Sequence, residues 1–503
     1  MRISTSQIYG AGARSIMDGQ SSLYRTQNQL SSGKQFLSAQ DDPVAAAQVM
    51  LDTQALAVNS QFADNQGNAL SQLAFEEDRL QAVVDALQDA RTNVIAGGNA
   101  SYTDAERGYI ADELESQLEL LYGLANSTDS NGYYLFSGYQ GNTQPFAKQT
   151  DGTIAYQGDN GKRLLQVDSE RQIAVSDSGH DVFVGISSGN GTYTVSNGTM
   201  TTAAASANTG TGAVDSASTK VTNLSDWSGA NGPYQVTFAG GGTTYDITDA
   251  DGNSVVAAAT YTAGDPITTI PGVSFSISGV PADGDTFTIE YSDNAGTGVI
   301  DSGSVTNLKS WSAANPPYQI AFTSDSSVTP YAATYTITDA DGAAVVSDVE
   351  YEEGVSIAAV PGVSFSISGE PANGDTFAIE PSTEQSVFTT LQNLITAFRT
   401  GVSGDDAAKT KLQNTINAEL QNLDKALTNI SGVQSTVGSR MNEVESLQSV
   451  SSALDIHYQE RISNLSDLDY AEAIARFAKQ QLQLEAAQSS FSKISGLSLF
   501  NYL

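Results

Sequence analysis

Apolar residues recur every seven positions near both ends of this chain and at alternate positions in its middle. Tyr9, Ile16, Leu23, Leu30 and Leu37 form one series, and Leu73, Leu80, Leu87 and Val94 a second. Ile416, Leu423, Ile430, Val437 and Val444 form a third, and Phe477, Leu484 and Phe491 a fourth. A strict seven-residue repeat keeps one side of a helix facing a partner helix, so long helices pairing through apolar seams are expected. An ordinary helical bundle uses similar spacing, but these seams are thin: Gln20, Gln27, Gln481 and Gln488 read as second seam positions. Polar seam residues weaken a pair and set its register, as expected of helices that order on assembly.

Helix boundaries are marked by local chemistry. Ser31-Ser32-Gly33-Lys34 breaks the first helix, and Asp42-Pro43 reads as the N-cap and first residue of the second. Gly97-Gly98 ends that helix, and Thr103-Asp104-Ala105-Glu106 is a capping box for a shorter one reaching about Leu124. Asp469-Tyr470-Ala471-Glu472 offers the same geometry ahead of the last helix.

The middle carries an internal repeat. Val221-Thr222-Asn223-Leu224, Trp227 and Pro233-Tyr234-Gln235-Val236 return as Val305-Thr306-Asn307-Leu308, Trp311 and Pro317-Tyr318-Gln319-Ile320. The stretch 271–279 returns unchanged at 361–369, with a loop insertion expected near Thr323–Pro330. Alternation such as Val273-Phe275-Ile277 and Phe287-Ile289, punctuated by Asp-Gly turns, predicts two small antiparallel β domains in tandem, with Trp227 and Trp311 as equivalent core anchors. A further β segment is expected over Ile154–Gly185, and Thr199–Ser218 reads as a flexible linker.

The fold class expected is therefore multidomain α+β. A discontinuous helical coiled-coil or bundle domain from both chain ends carries an inserted all-β body with a tandem β-domain duplication. The expected divisions are 1–140 (N-terminal helical arm and core helices), 141–207 (first β segment and linker), 208–293 and 294–383 (β repeats), and 384–503 (C-terminal helices).

Charge narrows the partners. With 57 acidic and 22 basic side chains the net charge is -35, which disfavours nucleic acid and anionic membranes. Only five of the basic residues fall within 151–383, so the centre reads as a solvated outer body. There is no cysteine, hence no disulfide or thiolate chemistry. Neither an apolar leader nor an apolar stretch of membrane-spanning length is present, so no membrane insertion and no cleavable signal are expected. His180 and His457 lie in no metal-ligand or triad frame, and no phosphate-cradling glycine motif is found. Asp249-Ala250-Asp251-Gly252 and Asp339-Ala340-Asp341-Gly342 open like calcium loops, but Ala258 and Asp348 stand where a bidentate Glu is needed, and Asp-Gly is itself a hairpin signal. No catalytic, cofactor or metal site is expected.

The terminal motifs carry a family likeness. Leu30-Ser31-Ser32-Gly33-Lys34 with Ser38-Ala39-Gln40-Asp41-Asp42-Pro43-Val44-Ala45-Ala46-Ala47 resembles the N-terminal motif of flagellins and flagellar hook-associated proteins. Ala471-Glu472-Ala473-Ile474, Gln480-Gln481, Leu484, Ala486-Ala487-Gln488, Phe491 and Ile494 resemble their C-terminal helix. Within that family, Leu499-Phe500-Asn501-Tyr502-Leu503 and Gly132-Tyr133-Tyr134-Leu135-Phe136-Ser137-Gly138-Tyr139 resemble the hook–filament junction type; a flagellin-like filament subunit is the alternative. The resemblance covers about 1–145 and 430–503 and is loose over the β body.

It implies a structural subunit, not an enzyme, exported by the flagellar type III route and assembled outside the cell as a helical array with copies of itself. The implied partners are another hook-associated protein, flagellin and an export chaperone on the C-terminal arm. The expected assembly seam comprises Tyr9, Ile16, Leu23, Leu30, Leu73, Leu80, Leu87, Val437, Val444, Ile474, Phe477, Leu484, Phe491 and Ile494.

Overall fold

The helices begin and end where their capping residues stand. The computed structural model describes residues 5–150, 152–205, 207–221, 233–270, 273–292, 294–301, 303–324 and 331–500. Helix α1 (Thr5–Ser32) stops at Gly33, whose φ of 69° is the left-handed conformation that terminates helices. Helix α2 (Pro43–Gly97) starts under Asp42, whose Oδ1 accepts from the N–H groups of Val44 and Ala45 at 3.1 and 2.9 Å. Helix α3 (Asp104–Ala125) opens with the reciprocal Thr103–Glu106 capping box.

The β body follows as β1 (Phe146–Lys148), β2 (Ile154–Tyr156), β3 (Leu164–Gln166), β4 (Gln172–Ala174), a π-helical turn at His180–Val184, β5 (Tyr193–Asn197), β6 (Thr199–Ala204) and β7 (Ala213–Val221). It continues through β8 (Tyr234–Ala239), β9 (Thr244–Thr248), β10 (Ser254–Thr260), β11 (Pro266–Ile267), β12 (Val273–Ser278) and β13 (Thr286–Ser292). Next come β14 (Val299–Ile300), β15 (Ser304–Val305) and the short helix α4 (Leu308–Ser312). The body closes with β16 (Tyr318–Ser324), β17 (Ala333–Thr338), β18 (Ala344–Glu350), β19 (Ser356–Ile357), β20 (Val363–Ser368) and β21 (Thr376–Pro381). Helices α5 (Val387–Arg399), α6 (Asp406–Ser466) and α7 (Tyr470–Phe500) complete the chain, with Asp469 capping α7 through the N–H groups of Ala471 and Glu472.

Two compact units result: Met1–Ser71 with Leu164–Ile173 and Arg440–Leu503, and Gln72–Arg163 with Ala174–Ser439. The second contains the fully apolar seam. Leu73, Leu80, Leu87 and Val94 of α2 and Ile416, Leu423, Ile430 and Val437 of α6 are buried, each contributing about 1.5–3 kcal/mol. The two helices run antiparallel there, since Gln434 donates to Gln81 at 3.2 Å and Arg91 pairs with Asp424 at 2.6 Å. Amphipathic α5 packs on α3, burying Phe388, Leu391, Leu394 and Phe398.

The β repeats share one plan. A five-stranded antiparallel sheet β10-β9-β8-β13-β6 faces a three-stranded sheet β11-β12-β7, around Phe238, Ile247, Phe275, Ile277, Phe287 and Ile289. In the second repeat β18-β17-β16-β21-β5 faces β14-β20-β15, around Phe322, Ile337, Phe365, Ile367, Phe377, Ile379 and Trp311. The same carboxylate ties each one: Asp285 accepts from Thr209, Gly210 and Ala282 N–H groups, and Asp375 from Ala295, Gly296 and Ala372. Trp227 lies outside the described residues, as does the expected loop insertion near Thr323–Pro330 beyond Ser324, where β16 ends.

The expected linker is not one. Residues 199–204 form β6, in register with β13 from Ala204↔Phe287 to Thr199↔Ser292, and residues 213–221 form β7 against β12. Small polar residues suffice for a strand when a neighbouring strand supplies every backbone partner. Moreover β5 pairs with β21, so the first repeat is inserted between one edge strand of the second and the rest of it. The boundaries at 208 and 294 thus miss two edge strands that precede them.

Candidate assembly surface

The first unit is held by its chain-end helices, and its seam is built on absence of side chain as much as on apolar bulk. Helix α1 runs antiparallel to α7. A Cβ at Gly12 would lie 2.8 Å from the Phe491 ring, one at Gly19 3.4 Å from Leu484 Cδ1, and one at Gly33 2.9 Å from the Tyr470 hydroxyl. Between them Thr26 Oγ1 donates to Gln480 Oε1 at 2.8 Å. Gly12, Gly19, Thr26 and Gly33 step by seven, and Phe491, Leu484 and Tyr470 run in the reverse sense at spacings of seven and fourteen. Phe491 therefore enters a notch on α1 at Gly12, a knob-into-hole fit in which the hole is a missing Cβ, and Leu484 packs over Gly19.

Backbone and ionic ties anchor the adjoining ends. Gln35 N–H donates to Ser466 O at 2.7 Å and Leu468 N–H to Gly33 O at 2.9 Å. Lys34 pairs with Asp467 at 2.7 Å. The Lys34 hydrogen bond, helped by the Ser463 hydroxyl, pulls the Asp467 pKa down to about 2. Asp41 is likewise held low by the N–H groups of Leu37 and Ser38, with Arg25 beside it.

Between α2 and α6 in this unit the contacts are polar. Asp52 pairs with Arg461 at 3.0 Å, Asn59 donates to Ser451 O at 2.8 Å, and Gln66 donates to Ser451 Oγ at 3.0 Å and to Val167 O at 2.8 Å. Val167 belongs to the hairpin that Arg171 fastens to Glu443 through bonds of 2.5 and 2.8 Å.

Of the expected seam residues, Leu73, Leu80, Leu87, Val437 and Val444 are buried, Ile16, Leu23, Leu30, Phe477, Leu484 and Phe491 are half-buried, and Ile474 is exposed. The side chains of Tyr9 and Ile494 lie outside the described ones. Gln20, Gln27, Gln481 and Gln488 are exposed, so the second seam position on α1 belongs to Gly12, Gly19 and Thr26 instead. Reading only for apolar residues passed over that glycine series, and over Asp52, Asn59 and Gln66, which extend the Leu73 series by three steps of seven.

Other chemistry is spent locally. Asp249 and Asp339 accept from the N–H groups of their own hairpin turns. Among the described residues, no three His, Asp or Glu side chains are placed to hold a metal ion. A cavity of about 640 Å³ in the second unit is lined in part by Glu419. Burial raises the Glu419 pKa, although Gln385, Asn393 and Asn422 amides all donate to it, at 2.9, 2.6 and 2.7 Å. No described helix is long and apolar enough to cross a membrane.

Residues 3–141 match the bacterial flagellin N-terminal helical region and residues 420–503 the bacterial flagellin C-terminal helical region. Flagellar hook-associated protein 3 of Salmonella typhimurium is 36% identical over 188 residues, 37% of this chain. The match spans 58% of the length of that relative. Flagellin of Escherichia coli is 23% identical over 518 residues, 98% of this chain and 96% of that protein. The crystal structure of the flagellar junction protein FlgL from Legionella pneumophila superposes with a TM-score of 0.58 at 24% identity, covering 84% of this chain and all of that one, which shows a shared fold. With paired helices at both ends, an all-β insertion between them and both terminal regions matched, the chain is similar to bacterial flagellin at its two helical ends and shares the fold of that junction-protein structure.

Proposed function

We propose that this chain is a structural, non-catalytic subunit of the bacterial flagellum that adapts another hook-associated protein to the flagellin filament. The observation that carries this reading is the α1–α7 ladder, which falls within the segments matching the two flagellin terminal regions. Copies would join head to tail into a helical layer, an open heterologous arrangement suited to a tube. The terminal seam, Tyr9, Ile16, Leu23, Leu30, Phe477, Leu484, Phe491 and Ile494 with exposed Ile474, supplies the apolar surface for it, while Leu73, Leu80, Leu87, Val437 and Val444 are buried within the longer helices.

Export without a cleavable signal, an extracellular site at the hook–filament junction, and an export chaperone on α7 belong to the same reading. A chain without cysteine and with a polar inter-helix seam is suited to crossing a narrow channel unfolded. Antibody raised to residues 208–383 should label sheared flagella at the junction, and deleting 470–503 should abolish filament attachment. Filaments that still attach to such a strain would refute the role of the arm.

A second reading, a flagellin-like filament subunit, draws on the match to flagellin across 98% of the chain. Label along the whole filament, and dominance of this chain in sheared material, would favour it.

A further inference from the structure

The first half of α2 is patterned inside out. Asp52, Asn59 and Gln66, in the same seven-residue series as Leu73, are only 5, 7 and 1% exposed. Val44, Leu51 and Val58, also seven apart, are 77, 62 and 44% exposed. Soluble helices ordinarily bury the second kind of series and expose the first. The orientation is held by the polar side: rolling α2 to bury the valines would break the Arg461 ion pair and the Ser451 and Val167 hydrogen bonds. The apolar stripe is therefore presented outward.

Its surroundings narrow the occupant. The stripe covers two heptads, about 21 Å of helix, and a seven-residue apolar spacing is matched by another helix. Its flanks are Ala47, Gln48, Gln54, Ala55 and Gln61, and from Pro43 to Ala63 the only charged residue is Asp52, which is buried and paired. Two copies that each carry a charge of -35 repel wherever their acidic surfaces meet, and this neutral face escapes that repulsion. The chain also offers a matching surface, with Met17 and Tyr24 exposed seven residues apart on α1.

We infer that the Val44/Leu51/Val58 stripe is a docking face for a helix of a second copy of this chain. The inference rests on the proposed assembling subunit and names which face receives the neighbour. A photoreactive benzophenone residue placed at position 51, in cells assembling flagella from the full chain, should yield chain–chain dimers on irradiation. Cross-linking to a different polypeptide, or none in flagella that contain the protein, would overturn the docking face while leaving the subunit role intact. Absence of the protein from flagella would instead overturn the subunit role.

Leu51→Glu with Val58→Glu should leave helical content and melting unchanged and cut incorporation at least tenfold. Should that pair unfold, Leu51→Gln with Val58→Gln serves in its place. Undiminished incorporation of a folded variant refutes the inference.

Discussion

The glycine notches on α1 make opposite predictions for two glycines only two residues apart. Replacing an exposed helical glycine by alanine ordinarily gains about 1 kcal/mol, because alanine restricts the unfolded backbone and keeps the helix. At Gly10 the new methyl meets only the Arg14 guanidinium, at 3.9 Å, so Gly10→Ala should show that gain. At Gly12 it would stand 2.8 and 3.2 Å from two atoms of the Phe491 ring, closer than carbons pack. Displacing the ring costs about 1–3 kcal/mol as overpacking, which offsets or exceeds the propensity gain. The two variants should therefore differ by about 2 kcal/mol, a factor of roughly 30 in the opening equilibrium. Hydrogen exchange of α1 and α7 peptides, read by mass spectrometry, reports that equilibrium directly. Gly10→Ala should slow exchange in both helices, Gly12→Ala should speed it, and Phe491→Leu combined with Gly12→Ala should recover part of the loss. Equal slowing by both alanine variants would refute the notch.

Four further outcomes follow. Ala258 and Asp348 occupy equivalent positions with φ of 52°; Ala258→Gly should relieve left-handed strain and stabilise the first repeat by about 1 kcal/mol in chemical denaturation. Asp285→Ala should destabilise the first repeat by removing the carboxylate that accepts from the Thr209, Gly210 and Ala282 N–H groups, and Asp375→Ala the second repeat likewise, read in chemical denaturation; near-neutral values would deny the carboxylates that role. Asp467 is depressed in the folded state, so its contribution is present above the usual value of 3.8 and is lost as pH falls toward about 2; being half-exposed, it should amount to under about 1 kcal/mol in a pH series of melts and shrink in Lys34→Ala, with the Ser463 hydroxyl bond keeping the remainder. Glu419 is raised instead, so its stabilisation is full below 4.5 and is lost as pH rises through the folded value; a pH series of melts should slope downward there, and Glu419→Gln should flatten it.

What could be read from the sequence was whatever depends on near neighbours along the chain. Caps at Asp42, Thr103 and Asp469 act within three or four residues, and they stand in the structure as the local pattern requires. The apolar heptads of α2 and α6 were equally legible, because burial of Leu80 or Leu423 depends on a side chain's own position along its helix. Strands β5 and β6 were not legible. Strand β6 is threonine, methionine and alanine with no apolar alternation, β5 offers only Tyr193 and Val195, and their pairing is decided by β13 and β21 around Phe287 and Phe377, more than 80 residues away.

The inverted half of α2 shows the same limit from the other side. Its repeat is present in the sequence, but hydrophobicity alone selects Val44, Leu51 and Val58 as the inward series. Arg461, Ser451 and Val167, distant along the chain, select Asp52, Asn59 and Gln66. In a solitary globule such a choice would expose apolar surface while burying polar groups, with Asp52 Oδ2 and Gln66 Oε1 left without hydrogen-bond partners. The choice becomes favourable when neighbours cover the outward stripe, since the apolar transfer term then arrives on assembly rather than on folding. Placing that term at assembly would keep the single chain marginal in the region proposed to receive its neighbour.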